Sequence, residues 1–563
     1  MSGESVTSAA TFRTSASRMS SRLRSGAHLV LHHAAKHSGV GIICAVAYFD
    51  PGNWGVDLQA GSEFGYKLLF VVLLAGLIAV YMQVLASRLG CVTGLDLASH
   101  CRLLLHDRPK HTWAWRWLVL YPLYALSEIA IISTDLAELL GSAMALCMLF
   151  PRLPLWAGVL ITASDVLVLL ALRDPLQGKP VRLFELLIAA LVFTVLVCMA
   201  VIVSQAGVHW GQAFDGFLPS SSLFKSGALY TSVGILGATV MPHSLFLGSA
   251  LATQDRVSSR SDIELYKESL TLAKSTPSLN SSILPTDVTE RRTRTIWERA
   301  KKSFCAVFEV LPIEDGRPRS HEERFNNPVS FIRAHLWHGI VDMVLSLLGL
   351  AVVINALILI LAGAEFHRTS DNPATLFDAY DLLRDRIGGS AAILFALALL
   401  ASGQSSSIIA TMAGQTVSEG FIQWRVSPIL RRLITRLLGL VPSMVVAIAL
   451  GRAGIATLLV ASQVILSIVL PFIVFPLIYL TSSRSIMSVR ERHMNPAPSA
   501  SPDVLPSTSN DPNGASGELT QTFDEVMNFA NSKFTIWLGY AIWFAIVLAN
   551  VYAIVTLAMG QGG

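Results

Sequence analysis

Long apolar runs separated by short polar stretches recur along most of this chain, and two of the runs are broken near their middle. The runs cover residues 39–60, 66–90, 117–147, 154–172, 183–204, 228–252, 329–362, 387–422, 433–451, 454–481 and 533–558. Most reach the roughly 20 residues that a helix needs to cross a hydrocarbon core of about 30 Å. The pattern therefore predicts an all-α integral membrane protein with about eleven transmembrane helices. Runs seven and eight exceed bilayer thickness and are expected to tilt or project.

The first run, GVGIICAVAYFDPGNWGVDL, is interrupted by Asp50-Pro51-Gly52-Asn53, and the sixth, LYTSVGILGATVMPHSLFLGSAL, by Met241-Pro242-His243. Proline removes a helix hydrogen bond and glycine loosens the backbone. Irregular backbone survives at membrane depth where it lines a cavity. Both segments are expected to unwind, and the two breaks together point to a binding site.

Composition supports the same class. Hydrophobic residues occupy 53% of the 563 positions and charged residues 14%, against roughly 25% charged residues in a soluble domain. Basic residues set the orientation. Arg13, Arg18, Arg22, Arg24 and Lys36 precede the first run, Arg102, Arg108 and Lys110 follow the second, and Arg173, Lys179 and Arg182 follow the fourth. The same side receives 253–328, Arg425–Arg436 and 483–532, whereas 367–385 carries Asp371, Asp378 and Asp381. By the positive-inside bias the N-terminus is cytosolic and the C-terminus lies opposite. These loops account for the net charge of +4, so no nucleic-acid partner is invoked.

The polar segments have their own expectations. Residues 1–38, rich in Ser, Arg and His without an apolar core, read as a disordered cytosolic tail, not a cleaved signal peptide. The long loop 253–328 and the loop 483–532, with its Pro- and Ser-rich stretch 493–514, are expected to be cytosolic and poorly ordered. A plain linker is the favoured reading, and control by regulatory proteins acting on these tails is the alternative. The six cysteines show neither a disulfide framework nor zinc spacing and are assigned to packing. His100, His106 and His111 read as solvated loop histidines.

An ionised carboxylate at mid-bilayer costs several kcal/mol, so Asp50 needs a cation, a water-filled cavity or a proton. Asn53, three residues on, can bring an amide oxygen to the same ion, or can cap the broken helix. Met241 adds a soft thioether beside Pro242. Sulfur suits transition metals, whereas Mg²⁺ and Ca²⁺ demand oxygen. Carboxylate, amide oxygen, thioether and freed carbonyls make a mixed site suited to Mn²⁺ or Fe²⁺.

With DPGN in the first run and MPH in the sixth, the chain resembles the natural resistance-associated macrophage protein (NRAMP) family of proton-coupled divalent metal transporters. The likeness extends through AGSEFGYKLLF, DLAELLG at 135–141, NALILILAGAEF, ASGQSSSI at 401–408 and ASQVILSIVLPF at 461–472. It implies a leucine-transporter-type fold of two inverted five-helix repeats, 39–204 and 228–252 with 329–481, with broken helices 1 and 6 facing each other and 533–558 as an appended helix. The two interrupted runs open the two halves, as a midplane site between inverted repeats requires.

The resemblance further implies Asp50, Asn53, Met241 and the carbonyls of Ala47 and Ala238 as ligands of the transported Mn²⁺ or Fe²⁺, with Gln463 joining as the site closes. No prosthetic group is implied. Ser244 stands where many relatives have Asn, and with the long 253–328 insertion this resembles fungal branches. A multi-pass protein of the plasma membrane, or of an endosomal or vacuolar membrane, is the expectation.

Proton coupling needs titratable groups near the metal path. His243, with an ordinary pKa of about 6.5, either exchanges a proton or braces the broken helix. Asp135 and Glu138 lie one turn apart, and the family assigns a proton route there; Glu128 falls on the same face. Arg436 either pairs with one of these carboxylates or snorkels to the interface. Asp165 and Gln404 read as interhelical hydrogen-bonding residues outside the site.

Three alternatives fit less well. An amino-acid transporter would present Gly-rich backbone and a helix N-terminus to a carboxylate. An enzyme would need a nucleophile with a base, an HExxH or a phosphate loop at the interface. A Mg²⁺- or Al³⁺-selective relative would be expected to lack the sulfur.

Overall fold

Leucine, valine and aromatic side chains cover the outside of this molecule while several of its charged side chains are inside, the reverse of a soluble protein. Leu183, Leu186, Phe193, Val441, Ile448, Phe534, Trp537 and Phe544 are exposed, whereas Asp50, Asp57, Asp135, Glu138 and Arg436 are buried. Such a surface suits a hydrocarbon solvent, in which the polar groups must find partners inside the bundle.

The computed structural model describes residues 39–165, 182–224, 227–256, 320–321, 324–367, 375–423, 428–449, 451–491 and 525–559. The tail 1–38, most of the loop 253–328 and the stretch 493–514 lie outside them.

The first run is two helices, α1 (Val40–Val46) and α2 (Pro51–Phe64), continued through a 3-10 turn into α3 (Leu69–Thr93). A short helix α4 (Leu97–Leu105) follows, capped by Asp96, which accepts from the Ser99 amide at 2.9 Å. Then come α5 (Tyr121–Leu149), α6 (Leu155–Thr162) and α7 (Arg182–Gln205). The sixth run is again two helices, α8 (Ala228–Thr239) and α9 (Pro242–Leu251). α10 (Val329–Ser346) passes through a π-turn into α11 (Val353–Glu365). The second half closes with α12 (Leu376–Arg386), α13 (Gly389–Ile422), α14 (Pro428–Ala449), α15 (Gly451–Ser482) and α16 (Lys533–Ala558).

Among the described residues eight helical stretches are long and apolar enough to cross a membrane, α2 and α3 counting as one, with Leu433–Ala449 shorter. The expected fourth run is helical through Thr162, with a 3-10 turn to Asp165. Broken segments one and six stand at the head of the two sets of helices, as the inverted-repeat fold requires.

Three expectations are corrected. The loop 483–532 is ordered at both ends, where Ser488–Glu491 pairs antiparallel with Glu525–Asn528. Arg88 fastens that hairpin by donating to the Phe529 carbonyl at 2.7 Å and to Asn531 at 3.0 Å. The end of the 253–328 loop is docked too: the Asn327 amide donates to the Val92 carbonyl at 3.0 Å, and Arg324 to those of Thr93 and Gly94. His100 is no solvated histidine. It is buried between the Thr93 hydroxyl at 2.8 Å and His321 at 2.9 Å. A buried ring that satisfies both nitrogens left no trace in the irregular spacing.

Burial holds the His100 ring well below its ordinary value and His321 at about 4, so both are neutral at pH 7. Unfolded histidines take up protons near 6.5, so acid favours the undocked state as the pH falls from 6.5 toward 4. Proteolysis near residue 321 should therefore quicken from pH 7 to pH 5, and His321→Phe should flatten that dependence. An unchanged pH profile in the variant would refute the assignment.

Candidate functional site

Each proline does more than interrupt a helix; it strips one specific carbonyl. A helical carbonyl accepts from the amide four residues on, and a proline has no amide hydrogen. Pro51 therefore leaves the Ala47 carbonyl without its helical donor, and Pro242 leaves that of Ala238. Those are the two carbonyls the resemblance implies as ligands, and the reason lies in the backbone.

The surrounding carbonyls are satisfied by side chains. Tyr48 O accepts from Asn355 Nδ2 of α11 at 2.7 Å, while Phe49 O accepts from Ser402 Oγ of α13 at 2.6 Å and Trp54 Nε1 at 3.1 Å. Buried backbone must be paired, and these bonds hold the unwound stretch open in one conformation. The Pro51 ring wedges between α5 and α13: a Cβ at Gly141 would collide with the ring, and one at Gly403 would crowd it while colliding with Ser142 Oγ.

Asp50 caps α2, its Oδ1 accepting from the Asn53 amide at 3.0 Å and from Asn53 Nδ2 at 2.6 Å. Asn53 Nδ2 also donates to Ala238 O at 2.8 Å. One amide thus joins the first break to the second. Asn53 Oδ1 faces Asn355 Nδ2 at 3.4 Å. Asp50 Oδ2 has no hydrogen-bond partner, and neither does Gln463 Oε1. Gln463 is pressed against Gly52, beside Asp50, so α15 contributes to the same spot. Met241 is fully buried as the cap residue of α9. The structure brings Asp50, Asn53, Ala238 and Gln463 together, with Ala47 and Met241 at the two breaks.

The remaining candidates lie on the α5 side. His243 Nδ1 is 3.4 Å from Thr134 Oγ1, one residue before Asp135, and its Nε2 has no partner. Arg436 of α14 is buried and ion-paired with Asp135, so the snorkelling alternative falls away. Glu138 is buried within the electrostatic reach of Asp135, Asp50 and Arg436. Glu128 is half-buried further along α5. Gln404 departs from expectation, since its Nε2 finds no partner; the side chain of Asp165 lies outside the described residues.

Four side chains escaped sequence reading. Tyr48 donates to Gln83 Oε1 at 3.1 Å, Gln83 Nε2 reaches the Ser244 carbonyl at 3.3 Å, and the Ser244 hydroxyl lies 3.3 Å from that of Tyr48. The Ser244 hydroxyl thus bonds the side chains of Tyr48 and Gln83. Asn355 and Asp57 were missed as well. A polar residue inside an apolar run is the signal that could have found Gln83 and Asn355, and seven-residue spacing from Asp50 the one for Asp57.

A family model described as natural resistance-associated macrophage protein-like matches residues 41–276 and 320–494. The chain is 41% identical over 531 residues to the manganese transporter pdt1 of Schizosaccharomyces pombe, covering 93% of this chain and 86% of that protein. It is 36% identical to the iron transporter SMF3 of Saccharomyces cerevisiae, covering 94% and 98%. Among solved structures it resembles the Eremococcus coleocola manganese transporter, with a TM-score of 0.63, 28% identity, and coverage of 92% and 86%.

Removing one member of a buried ion pair leaves an uncompensated charge, at a cost of about 3–5 kcal/mol. Arg436→Ala should accordingly lower the thermal midpoint in detergent markedly, and Asp135→Asn added to it should restore part of the loss. A double variant less stable than Arg436→Ala would contradict the pairing.

Proposed function

The chain belongs to the natural resistance-associated macrophage protein family, and from that premise we propose that it is a divalent metal transporter, a proton-coupled symporter that imports Mn²⁺ or Fe²⁺ toward the cytosol by alternating access. The observation that carries this reading is the Asn53 amide spanning the Asp50 carboxylate and the Ala238 carbonyl. Two oxygens that converge on one donor group from two separate breaks converge equally well on a cation.

In the cycle proposed here the amide is a placeholder. A dication between Asp50 and Ala238 repels N–H donors, so Asn53 turns its Oδ1 inward and the metal replaces the two hydrogen bonds. The Ala47 carbonyl, freed by Pro51, and Gln463 Oε1, which lacks a partner, add further oxygens. Met241 supplies the sulfur, which favours Mn²⁺ and Fe²⁺ over Ca²⁺ and Mg²⁺. Binding requires Asp50 ionised, and a proton leaves by way of His243, Thr134, Asp135 and Glu138, with Arg436 setting the field.

The two repeats rock about the site, and the membrane potential draws positive charge inward by about 2.3 kcal/mol per charge per 100 mV. With the N-terminus cytosolic, α1 lies on the cytosolic side and α2 leads outward. The protein works in the plasma membrane or in an endosomal or vacuolar membrane, with the polar segments 253–328 and 483–532 on the cytosolic side as linkers.

In proteoliposomes, Asp50→Ala should reduce Mn²⁺ uptake to background; substantial uptake would remove the carboxylate from the mechanism. Met241→Ala should raise competition by Ca²⁺ about tenfold with a smaller change in maximal rate, and unchanged selectivity would refute the sulfur ligand. An inward proton gradient should speed uptake, and equal rates without it would rule out coupling.

A further inference from the structure

Asp57 has no place in the mechanism above, yet it is buried at 2% exposure in an apolar bundle. Its Oδ2 has no hydrogen-bond partner, and the charge acting on it is that of Asp50, of the same sign. Two buried carboxylates in mutual repulsion need a cation or a proton to be tolerated. Arg436 serves the Asp135 side of the site. Among the described residues no cation acts on Asp57 in this way.

Its position is informative. Seven residues are nearly two helical turns, so Asp57 and Phe64 share one face of α2, the helix that Asp50 caps. Phe64 lines a cavity of about 690 Å³ at the far end of that helix, together with Lys67, His209, Asp215 and Glu365. Asp57 stands midway between this cavity and the metal site. The seam it occupies runs along α11. Asn53 meets Asn355 there, one turn before Asp57, and Gly61 abuts the Leu359 carbonyl one turn after it. Asn355 Oδ1 has no partner either. Unpartnered oxygens therefore run from Asp57, midway along the helix, past Asn355 to Asp50.

We propose that Asp57 is a second cation station, which takes a divalent metal ion on its way between the cavity beside Phe64 and the Asp50 site. The proposal rests on the reading of Asp50 as the central ligand. Close packing at Gly61 seals the seam in this conformation, so the metal reaches Asp57 when α2 and α11 part. A hard carboxylate without sulfur gives this station little preference among divalent ions; selection follows at Met241.

Mn²⁺ binding to the purified full-length protein, read by electron paramagnetic resonance, separates the two sites. Wild type should bind Mn²⁺ tightly, and failure to bind at all would sink the central site. Asp50→Ala should retain weaker binding, by about tenfold or more, and adding Asp57→Asn should abolish it. Asp57→Asn alone should raise KM for Mn²⁺ about three- to tenfold with kcat nearly unchanged, while Asp57→Glu should restore KM. Equal binding by Asp50→Ala and the double variant, or a wild-type KM in Asp57→Asn, would overturn the proposal. Should the asparagine variant misfold, Asp57→Ser in the Asp50→Ala background makes the same comparison.

Discussion

Two missing hydrogen bonds organise this protein. Pro51 and Pro242 each deprive one carbonyl of its helical donor, and the bundle is arranged around what replaces those donors. Because lipid tails cannot hydrogen-bond, the neighbouring carbonyls of the breaks depend on donors from the protein. Asn355, Ser402 and Trp54 meet the carbonyls of Tyr48 and Phe49, and Asn53 meets Ala238. Helices α2, α8, α11 and α13 are thereby tied to one point by hydrogen bonds in place of apolar packing alone.

Small residues make that convergence possible. Gly141 and Gly403 admit the Pro51 ring, and Gly52 admits Gln463 against the break. Bulk at any of these positions would separate helices that have to touch if the breaks are to face each other. The electrostatic arrangement follows from the same closeness. Asp50 and the Asp135–Arg436–Glu138 group influence one another through a low-dielectric interior, where charges interact far more strongly than at a surface. A change of charge at Asp50 is consequently felt at Glu138 on α5 without any conformational messenger.

The two broken runs were legible in the sequence because proline and glycine act locally, and the runs themselves because a bilayer imposes a length. Asp50, Asn53 and Met241 stood out as polar or soft residues beside a break. Tyr48, Gln83 and Asn355 did not, since nothing in one run tells which polar residue of another will reach it. Arg436 left its two readings open for the same reason, and burial against Asp135 settles the matter. The hairpin Ser488–Glu491 with Glu525–Asn528 was hidden by the polar sequence between its strands: composition describes a whole loop, whereas pairing needs four residues at each end.

The last helix repeats the logic of the breaks on a smaller scale. Pro471 removes the helical donor of the Ser467 carbonyl, and Asn550 of α16 supplies one at 2.6 Å, while accepting from the Ser467 hydroxyl at 2.6 Å. Ser467 lies one turn beyond Gln463 on α15. What sequence reading treated as an appendage is therefore a splint on the helix that carries the glutamine: α15 cannot slide along its own axis at that turn without dragging a lipid-facing neighbour, so the mobility of the site's rim is set partly from the periphery of the bundle.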